Sequence, residues 1–127
     1  PNAMVCDNAQ VRDNAYIGDN AIVAESAYVG QNAVVYGNAL IHGSTVVYGN
    51  AQVYDNAELN GKSTNSQVYD NAAIYGYALV YEDSAIYGSA QVRETATVFG
   101  SAQVSGSADI SGAAQVSTSI NSGSVNR

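Results

Sequence analysis

From Val5 onward every sixth residue is aliphatic, and two places before each one stands a small residue. The aliphatic series reads Val5, Val11, Ile17, Val23, Val29, Val35, Ile41, Val47, Val53 and Leu59. The small series is Ala3, Ala9, Ala15, Ala21, Ala27, Ala33, Ala39, Ala51 and Ala57, interrupted by Thr45. Residues two apart on an extended chain face the same side, so each small–aliphatic pair points inward together. The pair that follows, as in Asp13-Asn14, Gly37-Asn38 or Asp55-Asn56, is turn chemistry, because Gly, Asn and Asp tolerate positive φ. Each unit of six is therefore a short strand and a corner. A short fixed period of this kind predicts a parallel β-solenoid rather than a layered globular domain.

The phase slips once. Residues 2–61 form one array without a gap, 62–64 (Lys62-Ser63-Thr64) are an insertion of three, and 65–118 resume the pattern. In the second array the aliphatic positions run Val68, Ile74, Val80, Ile86, Val92, Val98, Val104, Ile110 and Val116. The segment 119–127 loses the repeat and reads as an irregular tail or a cap. Insertions on solenoids often carry function, although a tolerated bulge at one corner is the commoner meaning.

The repeat small-x-[Val/Ile]-x-[Gly/Asp]-[Asn/Ser] resembles the hexapeptide-repeat family. Ile17-Gly18-Asp19-Asn20-Ala21 and Val29-Gly30-Gln31-Asn32-Ala33 carry the likeness best. Elsewhere the Gly moves one place later, as in Val35-Tyr36-Gly37-Asn38-Ala39. The resemblance implies an all-β fold, a single-stranded left-handed parallel β-helix shaped as a triangular prism of about seven coils. It also implies three repeats per coil, so that residues eighteen apart stack. On that spacing Asn2, Asn20, Asn38 and Asn56 are expected to form a ladder at one corner.

The outward positions decide what a solenoid does. If the insertion is a local bulge, Tyr48, Tyr69 and Tyr87 share one face and Tyr36, Tyr54 and Tyr75 another, while Tyr81 and Phe99 extend the face begun by Met4, Ile22 and Leu40. Stacked aromatics stabilise neighbouring strands, and Tyr is enriched at interfaces. These eight aromatic residues are accordingly the candidate interaction surface. The expected partners are further copies of the chain, as a trimer or stacked end to end, or neighbouring domains of a longer protein. An open first coil at Asn2 has unpaired strand edges that such a neighbour would cover.

Charge narrows the field. The 127 residues hold 4 Lys and Arg against 11 Asp and Glu, for a formal net charge of -7. No basic stripe exists to displace counterions from nucleic acid, and an anionic membrane surface is equally unsuited. No apolar run is long enough for a transmembrane helix, and no signal peptide stands at the start. Cys6 is alone, so neither a disulfide within the chain nor a compartment follows from it.

Well-known relatives in the hexapeptide-repeat family are acyltransferases that use acyl-CoA, with a His activating the acceptor between subunits. That resemblance makes His42, in Leu40-Ile41-His42-Gly43, the one candidate general base. The long excursion loop and C-terminal helix common in those enzymes are missing. Arg12, Lys62, Arg93 and Arg127 are too scattered to gather CoA phosphates. Members that hydrate carbon dioxide need three His on a catalytic zinc, and one His cannot supply them. Asp7 and Glu25 stack on an eighteen-residue spacing and are candidate calcium ligands, though turn Asp is the ordinary role. Outward Thr is essentially Thr97, too little for an ice-binding face. The expectation is a non-catalytic structural or binding module without a cofactor, the alternative an acyltransferase-like protein acting through His42.

Overall fold

A computed structural model describes residues 2–63 and 66–126. The chain winds as a β-solenoid of about seven turns, with three parallel sheets as the sides of a triangle. The first sheet stacks strands beginning at Met4–Val5, Ile22–Val23 and Leu40–Gly43, the second those beginning at Gln10–Val11, and the third those beginning at Tyr16–Ile17. Most strands are two residues long, too short to hold a shape alone. They are held from above and below, with Met4 pairing with Ile22, Gln10 with Tyr28 and Tyr16 with Val34. At about 4.8 Å per paired strand the prism is roughly 30 Å long.

The insertion changes the spacing and spares the register. Across it Val47 pairs with Val68, Val53 with Ile74 and Leu59 with Val80. All three sheets thus run straight through, at a spacing of twenty-one for one coil and eighteen again beyond it. Lys62 donates its backbone N–H to Glu82 O at 2.9 Å. Thr64, which ends the insertion, and Asn65, which opens the second array, lie outside the described residues.

Inside the prism the two series form one core. Val23, Ile41, Leu59 and Ile74 are 0% exposed, and the Ala column beside them, including Ala33 and Ala96, is equally sealed. Ala stands nearest the corners, where two sheets converge and a longer side chain has no room. Fully burying a Val or Ile side chain stabilises by about 1.5–3 kcal/mol, and this gain recurs three times per coil. At the far end the ladders continue past the repeat: Ile120 bridges to Val104 and Val125 pairs with Ile110. Both side chains pack against the core as a lid.

The corners explain the turn residues. Asp19, Asp55 and Glu94 adopt positive φ of 54–60°, and Gly37, Gly76 and Gly112 do so at 61–68°. A left-handed residue with a Cβ costs about 1–2 kcal/mol, so each acidic one needs a reason to be there. Asp19 Oδ2 accepts the N–H of Gly37 at 3.1 Å, Asp55 Oδ2 that of Gly76 at 3.1 Å, and Glu94 Oε1 that of Gly112 at 2.6 Å. The strained carboxylate fastens its coil to the next. Gly then follows because the fit is close: a Cβ on Gly37 would lie 2.8 Å from the Asp55 nitrogen.

Candidate functional site

His42 sits at the end of the four-residue strand Leu40–Gly43 on the first sheet, with its side chain 20% exposed. Its Nε2 lies 2.8 Å from Glu58 Oε2 and its Nδ1 3.3 Å from Glu25 Oε1. Glu25 Oε1 also accepts the N–H of Gly43 at 2.6 Å. Both ring nitrogens therefore face carboxylates. Sequence reasoning singled out His42 and Glu25 but missed Glu58. The missing signal was the register, in which Glu58 stands beside Leu40.

The carboxylates of Asp7 and Glu25 are likewise spent on backbone. Asp7 Oδ2 accepts the Glu25 N–H at 3.3 Å. Among the described residues no three His, Cys, Asp or Glu side chains gather as metal ligands would.

The aromatic columns are continuous. Tyr36, Tyr54 and Tyr75 stack with ring centroids 4.9 Å apart and planes within 4°. Tyr48, Tyr69 and Tyr87 stack at 4.9 and 5.0 Å, and Tyr81 meets Phe99 at 5.6 Å. The insertion lies within both tyrosine columns and breaks neither. Stacking leaves these rings half-buried, showing mostly their edges, while Tyr16 and Tyr77 are the broadly exposed aromatics at 58% and 68%. Burial, with repulsion from the stacked neighbours behind it, pushes the Tyr54 and Tyr69 phenols above the usual tyrosine range.

Other outward polar groups bond along the axis. Asn2, Asn20, Asn38 and Asn56 form the expected ladder at 3.2–3.3 Å. Arg93 makes a two-pronged bond to Asp109, 2.9 Å at each contact. That bond holds the Asp109 carboxyl below the usual carboxylate range and raises the guanidinium further.

One corner departs from the rest. At ordinary corners the Ala N–H donates to the carbonyl three residues back, as Ala51 does to Tyr48 and Ala78 to Tyr75. Beside the insertion a hydroxyl takes that duty: Thr45 Oγ1 donates to His42 O at 2.9 Å and Ser84 Oγ to Tyr81 O at 3.0 Å. Thr45 Oγ1 also accepts the buried Gly61 N–H at 2.7 Å. Ser66, in the inserted coil, is 1% exposed, and its hydroxyl has no partner among the described residues. Next to this corner the second sheet holds a groove of about 380 Å³ lined by Asp83, Ala85, Ser101 and Gln103.

Residues 33–49 and 66–82 match the YdcK beta solenoid repeat. No curated protein and no solved structure matches the chain significantly. The two matched segments are each just under one coil long and flank the insertion. The first holds Tyr36, His42, Thr45 and Tyr48, the second Ser66, Tyr69 and Tyr75.

Proposed function

We propose that this chain is a non-catalytic structural module, a rigid rod for oligomerisation, assembly or display within a larger protein. One observation carries the reading: the outward chemistry is used to join coil to coil. Corner carboxylates take backbone N–H groups, Asn bonds Asn, phenols stack on phenols, and both nitrogens of His42 face carboxylates. Such a surface stiffens the prism and sets little aside for chemistry. The edges of the two tyrosine stacks, with Tyr81 and Phe99, are the surface proposed to meet a second copy or a neighbouring domain. The likeness to hexapeptide repeats adds an acyl-CoA alternative with His42 as base. Against it stand a net charge of -7 and the commitment of Arg93 to Asp109.

Calorimetric titration of acetyl-CoA into the chain and into His42→Ala separates the two. The rod reading expects no saturable heat up to about 1 mM ligand, the weak edge of measurable affinity, and an elongated particle in small-angle scattering. Saturable binding, with acyl transfer lost in His42→Ala, would sink it.

A further inference from the structure

The groove on the second sheet opens between side chains that join neighbouring coils, with Ala85 at its floor. It exists because Ala85 is small where the same column carries Tyr28, Val46, Gln67 and Gln103. Tyr69 and Tyr87 form one wall, and the corner residues Asp83 and Ser101 form the other. Gln67 and Gln103 stand on either side of the Ala85 floor. The insertion reaches this rim, since Ser63 Oγ donates to Asp83 Oδ1 at 2.7 Å. The one break in the repeat and this recess thus meet at the same place.

The lining sets the ligand class. Asp83 supplies an acceptor, Ser101 a hydroxyl, and Gln103 an amide whose oxygen is occupied by the Tyr87 hydroxyl at 3.3 Å, leaving its nitrogen to donate. The tyrosine stack ends at Tyr87, because Ser105 follows it in the column, so one ring face has no aromatic neighbour. No cationic side chain lines the groove, and the chain is acidic, which disfavours phosphates and carboxylates. Adjacent donors and acceptors around an aromatic face suit a neutral ring bearing several hydroxyls. A volume of about 380 Å³ is at the small end for ligand sites, room for one or two such rings. We propose that this groove binds a neutral saccharide, with Asp83, Ser101 and Gln103 reading its hydroxyls and Tyr87 supporting a ring face.

The test is a nitrogen-15 NMR titration of the whole chain with maltose, cellobiose and N,N′-diacetylchitobiose, and with glucose 6-phosphate as the anionic comparison. Expected is saturable movement of the Ala85, Ser101 and Gln103 signals with at least one neutral disaccharide, and none with the phosphate. Ala85→Tyr, which places in the groove a ring the same column already carries at Tyr28, should weaken binding by at least about tenfold. Gln103→Ala should also weaken it and removes only an exposed side chain, so it decides the matter if Ala85→Tyr does not fold. Three results would each overturn the proposal: no response to any neutral disaccharide, a response unchanged in Gln103→Ala, or equal binding of glucose 6-phosphate.

Discussion

The third corner column and the first are made by the same repeat and solve the same problem differently. Along the third, Asp19, Gly37, Asp55, Gly76, Glu94 and Gly112 alternate an acid with a Gly. Each acid reaches forward to the next coil, and each Gly keeps the following acid two coils away, so like charges do not meet at strand spacing. The first column reads Asp7, Glu25, Gly43, Gly61, Glu82 and Gly100, and it must also accommodate three extra residues. There the strands lengthen to four residues, and Thr45 and Ser84 replace Ala so that hydroxyls can hold the turn. The core behind both columns is alike, with Leu59 and Val53 each 0% exposed. An insertion is absorbed by rebuilding one corner over three coils, and the ladders do not register it.

The sharpest way to break this comparison is Gly61→Ala. A Cβ there would lie 2.5 Å from Ser66 Cβ and 2.8 Å from Thr45 Oγ1, both on buried residues with nowhere to move. Overpacking of this kind costs about 1–3 kcal/mol, and the upper end is expected in urea denaturation. Loss of less than about 0.5 kcal/mol would mean that the corner is loose.

Next come the two buried hydroxyls of that corner. Thr45→Ala strips the His42 carbonyl and the Gly61 N–H of a partner, which should cost about 1–3 kcal/mol. Ser66→Ala removes a buried hydroxyl that has no partner among the described residues and should be neutral or stabilising. Equal losses in the two variants would contradict the assignment of the turn to Thr45.

In the regular column Asp55 tests the exchange of strain for a bond. Asp55→Ala keeps the positive φ of 59° and loses the bond to the Gly76 N–H, for an expected cost of about 1 kcal/mol. Asp55→Gly loses the bond and the strain together and should cost less. The reverse order, read from thermal midpoints, would show that the carboxylate is not what holds Asp55 in place.

The smallest effect is on pH dependence. Asp109 has a depressed folded value, so its contribution is present above the ordinary Asp pKa of about 4 and is lost as pH falls through the folded value. Asp109→Asn should flatten that acid limb of stability. Tyr54 and Tyr69 have raised folded values, so their contribution is intact below about pH 10 and is lost as pH rises through those values. A Tyr54→Phe variant with an unchanged alkaline limb would remove Tyr54 from this account.

The fold was legible because a β-solenoid is nearly one-dimensional. Inward Ala and Val/Ile repeat at fixed spacing, and corner pairs such as Asp55-Asn56 mark each turn. Once the coil length is granted, the Asn2–Asn56 ladder and the tyrosine triplets follow by counting. The corner at the insertion was legible only in part. Thr45, Ser66 and Ser84 could be seen as exceptions to Ala, and their spacing of twenty-one and eighteen places them in one column around residues 62–64. Nothing in the sequence said that two of them would donate to a turn carbonyl while the third would find no partner among the described residues.

Period, inward pattern and turn chemistry are local properties, repeated often enough that the sequence by itself determined the strands, the corners and the composition of the core. The pairing of His42 with Glu25 and Glu58, the forward reach of corner acids and the groove at Ala85 were decided by the tertiary structure alone. Each depends on how a side chain in one coil meets backbone or side chain in the next. Those meetings are fixed only when the coils stack, at about 4.8 Å, where a single missing side chain opens a groove and a single Cβ can close a corner.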